Sequence, residues 1–145
     1  MLVKDIMNPN VQTIDKGATV QEAARRMGKF SIGCLIVTSG KRVTGILTER
    51  DIMRRVVSDA KDPSETKVND VMSDEVILIE PDMTVDDAAE LMMDKKVKKL
   101  PVVKDNQLIG IVTVTDICMA SPKIIEKLGE MLLLPKKGGE RPVAG

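Results

Sequence analysis

The chain has 145 residues, 22 Lys+Arg against 22 Asp+Glu, and no His. That is about one domain of zero net charge, without the broad positive field of a nucleic-acid binder. The missing His removes the commonest general base, the commonest metal ligand and every Ser-His or Cys-His nucleophile pair. Hydrophobic residues at 43% beside 30% charged residues describe a globular chain. The two cysteines, Cys34 and Cys118, form no CxxC pair, which argues against a zinc cluster or a disulfide scaffold and reads as two structural thiols. No apolar run is long enough to cross a bilayer, and Met1 to Asp5 lack a signal-peptide core, so a cytoplasmic location is expected.

In chain order, a short strand is expected around Val11 to Ile14. A helix follows from Thr19 to about Lys29, opened by a Thr19/Glu22 capping box and carrying Ala23, Ala24 and Met27 on its apolar face. Cys34 to Val37 and Val43 to Leu47 read as strands joined at Ser39-Gly40, and a second helix starts at Thr48. After a polar, Pro-containing linker from Ser58 to Lys67, the order recurs. The expected elements are a strand at Val76 to Ile79, a helix from Thr84 (boxed with Asp87), strands Leu100–Val103 and Leu108–Val112 around Asp105-Asn106, and a helix from Thr113. Pro122 to Leu134 places Ile124, Ile125, Leu128, Met131 and Leu132 at amphipathic-helix spacing, and the stretch from Pro135 reads as a flexible tail.

The recurrence is a duplication. A shift of 65 residues lays 3–55 on 68–120 without a gap, matching Val3, Asp5 and Met7 to Val68, Asp70 and Met72. It also matches Gly45, Ile46, Thr48, Asp51 and Ile52 to Gly110, Ile111, Thr113, Asp116 and Ile117. The fold class is therefore α/β, two β-α-β-β-α repeats facing each other across a pseudo-two-fold, with a C-terminal helix and tail. The divisions are 1–60, 61–121 and 122–145. One such unit alone would be marginal, and two sharing a core would not.

Chemistry concentrates where a strand runs into a helix, at Gly45 to Ile52 and Gly110 to Ile117. Thr with Asp three residues on is a capping box, and the same pair can also face a ligand, the Asp accepting from the vicinal hydroxyls of a ribose. Both readings stand together. The lysines 95, 96, 98 and 99 are a solvated helix end, or else Lys98 and Lys99 meet a phosphate tail. Without aromatic neighbours for base stacking they do not suit nucleic acid.

The pattern V-x-D-I/V-M, T-V-x-x-A-A-x-x-M, L-I/P-V-V and G-I-x-T-x-x-D-I, present twice, resembles the cystathionine-β-synthase (CBS) domain, and a tandem pair resembles a Bateman module. The resemblance covers residues 1–120 or so. It implies two clefts for adenosine-type ligands (AMP, ADP, ATP or S-adenosylmethionine), with Asp51 and Asp116 on ribose and Thr48, Thr113 and Thr115 near phosphate or ribose. Thr13, Ile14, Cys34 and Leu35 would wrap the base in one cleft, and Leu78, Ile79, Lys99, Leu100 and Pro101 in the other. Arg50 replaces the Thr115 of the second repeat and is the better anion partner.

No metal and no obligatory cofactor are implied, and an enzyme is not expected, since no acid–base pair converges. The leading expectation is a regulatory sensor signalling to a protein partner in trans, without membrane contact. The competing one is a dimeric interaction scaffold with vestigial or empty clefts. The same resemblance implies a homodimer of four repeats, paired through Ala24, Met27, Ala89, Met92, Ile52, Val56 and Ile117.

Overall fold

The computed structural model describes residues 1–132. In the first repeat α1 (Val3–Ile6), β1 (Thr13–Asp15), α2 (Val20–Phe30), β2 (Cys34–Ser39), β3 (Arg42–Thr48) and α3 (Glu49–Ile52) follow in order, α3 continuing as a wider π turn over Met53–Val57. The second comprises α4 (Val68–Val71), α5 (Val85–Lys95), β4 (Lys99–Lys104), β5 (Gln107–Thr113) and α6 (Val114–Ala120). A 3-10 turn at Pro122–Ile124 then leads into α7 (Ile125–Leu132). The expected tail from Pro135 and the end of the expected helix at Leu134 lie outside the described residues.

Local rules place most of these boundaries. The Thr19 and Thr84 hydroxyls accept the N–H groups of Glu22 and Asp87, and the two helices end at Ser31 and Lys96 with left-handed backbone, φ 53 and 56. The return bonds from Glu22 and Asp87 that would complete capping boxes are not made. The first hairpin turns on Gly40-Lys41, one residue later than expected, with Gly40 at φ +63; the second turns on Asp105-Asn106, both left-handed. Each hairpin carries one bulge at the equivalent place, Thr44 and Ile109.

The two sheets are unequal. β1 pairs parallel with β2, which pairs antiparallel with β3, whereas β4 and β5 stand as a pair. The strand expected at Val76 to Ile79 is reduced to a single bridge, Ile79 to Val102. Two prolines explain this. In the first repeat the Lys16 and Ile36 N–H groups donate to Thr38 and Gln12, and the equivalent positions are Pro81 and Pro101, which have no N–H.

Each repeat closes its core with a piece of the other. Val3 belongs to the second repeat's core, with Met92, Leu100 and Val112, while Val68 and Val71 belong to the first, with Ile14, Leu35 and Leu47. The backbone exchange is symmetric. Val3, Lys4 and Val85 N–H donate to Met83, Pro81 and Met1; Val68, Asn69 and Val20 N–H donate to Ala18, Lys16 and Thr66. Val20 and Val85 are the first residues of α2 and α5, so these bonds take up helix-terminal donors that have no partner within the helix. In the linker, the Asp62 carboxylate accepts from the Ser64 N–H and hydroxyl, which holds its pKa below the ordinary value, and Pro63 accepts the Gln21 N–H at the head of α2.

This packing corrects the expected dimer face. Met27, Val56, Ala89, Met92 and Ile117 are all core residues, at most 5% exposed, because α2, α5, α6 and the π turn after α3 direct these side chains into the two repeat cores, the second of which also takes in Ile124 of the 3-10 turn and Leu128 of α7. Of the expected set, Ala24 and Ile52 remain at the surface, lining a hollow.

The exchanged segments run against Gly45 and Gly110. A Cβ on Gly45 would come within 2.7 Å of the Ser73 carbonyl oxygen and 2.6 Å of Met72 Sδ; on Gly110 the backbone clash with Asn8 is milder, at 3.2 Å. A thioether can swing aside and a paired carbonyl cannot, so Gly45→Ala is expected to destabilise by about 1–3 kcal/mol and Gly110→Ala by less. Chemical denaturation of the two variants checks the order.

Candidate ligand cleft

β3 and β5 each end on a Thr that is also the cap of the next helix. The Thr48 hydroxyl accepts the Asp51 N–H at 3.1 Å while Asp51 Oδ2 accepts the Thr48 N–H at 3.0 Å. Thr113 and Asp116 repeat this at 3.2 and 2.9 Å. These boxes are complete, and they occupy one oxygen of each carboxylate. Among the described residues no protein donor reaches the other oxygen, Oδ1, of either Asp. Cap and ligand acceptor are thus compatible, one oxygen serving each.

The cleft beside Thr113 is built from both repeats. A cavity of about 140 Å³ is lined by Asn8, Asn10, Val11, Gln12, Ile32, Cys34 and Ile36 from the first, and by Lys99, Ile111 and Thr113 from the second. The mixing follows from the segment exchange. Asn8 forms an antiparallel bridge to Ile111, which carries residues 8–12 alongside β5, and Ser73 bridges Ile46 in the same way. At the centre the Lys99 ammonium donates to Cys34 Sγ at 3.1 Å. Cys34 and Lys99 are equivalent positions under the 65-residue shift, so the pseudo-two-fold passes between them.

The expected site residues divide by strand parity. Side chains alternate across a strand, so Cys34 and Ile36 face the cleft while Leu35 faces the helix layer; Lys99 and Pro101 likewise bracket Leu100. Ile14, Leu35, Ile79 and Leu100 are core residues, at most 2% exposed, so these positions offer a cleft their backbone and not their side chains. Pro101, equivalent to Ile36, is buried. Thr13 lines a neighbouring hollow with Thr38, Lys41 and Gln107, its carbonyl taken by Arg26, and Leu78 is 42% exposed. Arg50, Lys98 and Thr115 are exposed, and the Lys98 carbonyl accepts the Val114 N–H. The cleft residues not anticipated are Asn8, Asn10, Val11, Gln12, Ile32, Ile36 and Ile111. Ile36 shares the parity of Cys34, but the unbroken apolar run Cys34 to Val37 carries no polar alternation that would reveal it; nothing local assigns residues 8–12 to the second repeat's Thr113.

Applying the same shift to this lining places Ser73, Glu75, Val76, Ile77 and Val97 beside Thr48. Glu75 stands where the first cleft has Asn10, and Asp74 where it has Pro9. The cleft beside Thr113 is lined by neutral residues around one ammonium, and at the equivalent positions of the other repeat the sequence places the carboxylates Asp74 and Glu75.

The chain belongs to the CBS domain family, whose model matches residues 3–58 and 68–123. It is 39% identical over 130 residues to the protein MK0525 of Methanopyrus kandleri, covering 88% of this chain and 66% of that one. With the CBS domain-containing protein YhcV of Bacillus subtilis it shares 37% over 117 residues, 81% of this chain and 83% of the relative. Among solved structures, Hypoxic Response Protein I with two coordinated zinc ions superposes with a TM-score of 0.76 at 27% identity, over 83% of this chain and 99% of that one. A Burkholderia ambifaria structure, described as a candidate signal-transduction protein with CBS domains, gives 0.73 at 25%, over 99% and 100%. The chain is thus a paired-CBS protein of the regulatory type. Zinc is a feature of that one neighbour; among the described residues here no three His, Cys, Asp or Glu side chains gather to hold a metal, and no helix is long and apolar enough to cross a membrane.

Thr113→Ala removes the hydroxyl that accepts the Asp116 N–H at the head of α6, while the backbone N–H of that residue can still donate to Asp116 Oδ2. It should cost about 1 kcal/mol of stability, and Thr48→Ala a similar amount, both read from denaturant midpoints.

Proposed function

We propose that the chain is a regulatory module that binds one anionic adenosine ligand (AMP, ADP or ATP) in the Asp116 cleft and signals to a protein partner in trans. The observation that carries this reading is a cleft in which the Lys99 ammonium and the apolar walls Val11, Ile32 and Ile111 meet Thr113, whose capping partner Asp116 keeps one carboxylate oxygen unengaged. Asp116 Oδ1 accepts from the ribose hydroxyls, the apolar walls take the base, and Lys99 exchanges its weak thiol acceptor for a phosphate oxygen. S-adenosylmethionine is the less suited member of the series, because its sulfonium would lie near the same ammonium. The Asp51 cleft, with Glu75 in its lining, repels a phosphate and is the weaker site.

The cavity of about 140 Å³ is below the roughly 300 Å³ at which small-molecule sites usually begin. Ligand entry therefore has to part the two repeats. A ligand that favours the parted arrangement shifts the population towards it, which is what a signal requires. The same small volume favours the second reading, a scaffold whose clefts stay empty.

The chain has no Trp, no Tyr and one Phe, so bound adenine would dominate the ultraviolet spectrum of the purified protein, and mass spectrometry would name what denaturation releases. Calorimetry follows with AMP, ADP, ATP, S-adenosylmethionine and adenosine. Asp116→Asn keeps an oxygen for the Thr113 N–H but removes the charged acceptor, and affinity should fall by about 1.5–3 kcal/mol, tenfold or more. Asp51→Asn should change it little. Lys99→Met should weaken the phosphorylated ligands and leave adenosine unaffected. No binding across the series, or equal losses at the two Asp positions, overturns the one-cleft reading, and no binding at all leaves the scaffold.

A further inference from the structure

Cys34 is the first residue of β2 and Lys99 the first of β4, and the pseudo-two-fold brings these two strand starts together. Both side chains line the cavity of about 140 Å³ beside Thr113. The Lys99 nitrogen lies 3.1 Å from the Cys34 sulfur, and among the described residues it makes no other side-chain hydrogen bond. A thiol is a weak acceptor, so this contact does little to stabilise the cation. It does create a reactive pair. A nitrogen nucleophile and an oxidisable sulfur, on strands from different repeats, stand at the separation of about 3–3.5 Å that precedes bond formation.

The cavity decides which oxidant reaches the sulfur. A peroxide of two oxygen atoms occupies about twice the roughly 30 Å³ of a water molecule, and the cavity admits it. A tripeptide disulfide needs more than the roughly 300 Å³ at which small-molecule sites begin, and the cavity excludes it. Cys118, the other free thiol, is half-buried against the second core, and among the described residues no lysine hydrogen-bonds to it.

We propose that Cys34 and Lys99 form an oxidation site at which a small hydroperoxide joins the two repeats through a sulfur–nitrogen bond. In the first step the sulfur takes one peroxide oxygen. The S–O bond forms, the O–O bond breaks, and the second oxygen leaves as water with the thiol proton. In the second step the Lys99 amine, having released one proton to solvent, attacks the sulfur. The S–N bond forms, the S–O bond breaks, and the oxygen leaves as a second water with an amine proton. Sulfur gives up two electrons and the peroxide accepts them. The product is a sulfenamide, which a thiol reductant reopens by attack at sulfur. The bond ties β2 to β4 across the pseudo-axis, where the repeats can then no longer part. The reaction needs no nucleotide, so its failure and that of the ligand reading are separate results.

The full chain, reduced and then treated with hydrogen peroxide, should lose a pair of hydrogen atoms from its intact mass of 15.9 kDa. Proteolysis should yield one cross-linked peptide pair holding Cys34 and Lys99, which dithiothreitol separates. The oxidised chain should unfold at a higher denaturant concentration than the reduced chain, because the link closes a long loop in the unfolded state. Cys118→Ser should cross-link as fully as the natural chain, and Cys34→Ser should lose the cross-link entirely. Lys99→Arg keeps the cation but offers no amine, so the cross-link should be lost and sulfenic acid should accumulate at Cys34, captured by dimedone. Circular dichroism of the variants separates lost chemistry from lost folding. An unchanged mass, a Cys34–Cys118 disulfide, a disulfide between chains, a sulfenic acid that persists in the natural chain, or equal cross-linking in Lys99→Arg would each overturn the proposal.

Discussion

The architecture depends on one constraint: neither repeat can satisfy its own helix. The start of each first long helix presents N–H groups and an apolar notch that its own repeat leaves open. The other repeat's opening segment supplies both the carbonyl and the valine that fill them. In the first repeat the segment that makes this crossing continues into residues 8–12, so a wall of the cleft beside Thr113 is laid down by the same exchange. Stability and site geometry therefore share one set of contacts. The two glycines of β3 and β5 matter to both, because they let the crossing backbone approach.

Twofold repetition then sets up a contrast the chain exploits. Equivalent positions hold Asn10 and Glu75, Cys34 and Lys99, Gly28 and Met93, Arg25 and Glu90. Every pair changes charge or volume while the backbone around it stays the same. The framework is symmetric where packing dictates it and asymmetric on surfaces that meet something else. On the pseudo-axis one ammonium faces one thiol, where strict symmetry would have put two cations or none.

Much of this was legible beforehand. The 65-residue period, the Thr caps and both hairpins follow from local chemistry that tertiary packing does not override. Asp105-Asn106 can adopt left-handed backbone, and Thr48 and Thr113 stand where an apolar strand becomes a helix. The missing second-repeat edge strand also has a sequence signal, since Pro81 and Pro101 stand where Lys16 and Ile36 donate in the first repeat. The strand parity of Leu35 and Leu100 was hidden because a strand covered on both faces shows no alternation of polarity. The crossing of residues 8–12 to Ile111 and Thr113 was not readable at all. It is a long-range pairing, and the isolated bridge that makes it leaves no pattern along the chain.

The crossover also governs the order in which the chain can be made. During synthesis the first repeat emerges whole, yet its core stays unfinished until Val68 and Val71 follow. The segment at Val3, by contrast, has no seat until Val85, Met92 and Leu100 are in place. Ordinary domain-by-domain folding, first half before second, is closed to such a chain. The segment at Val3 must stay uncommitted until the second repeat has been made, and the two repeats become native together.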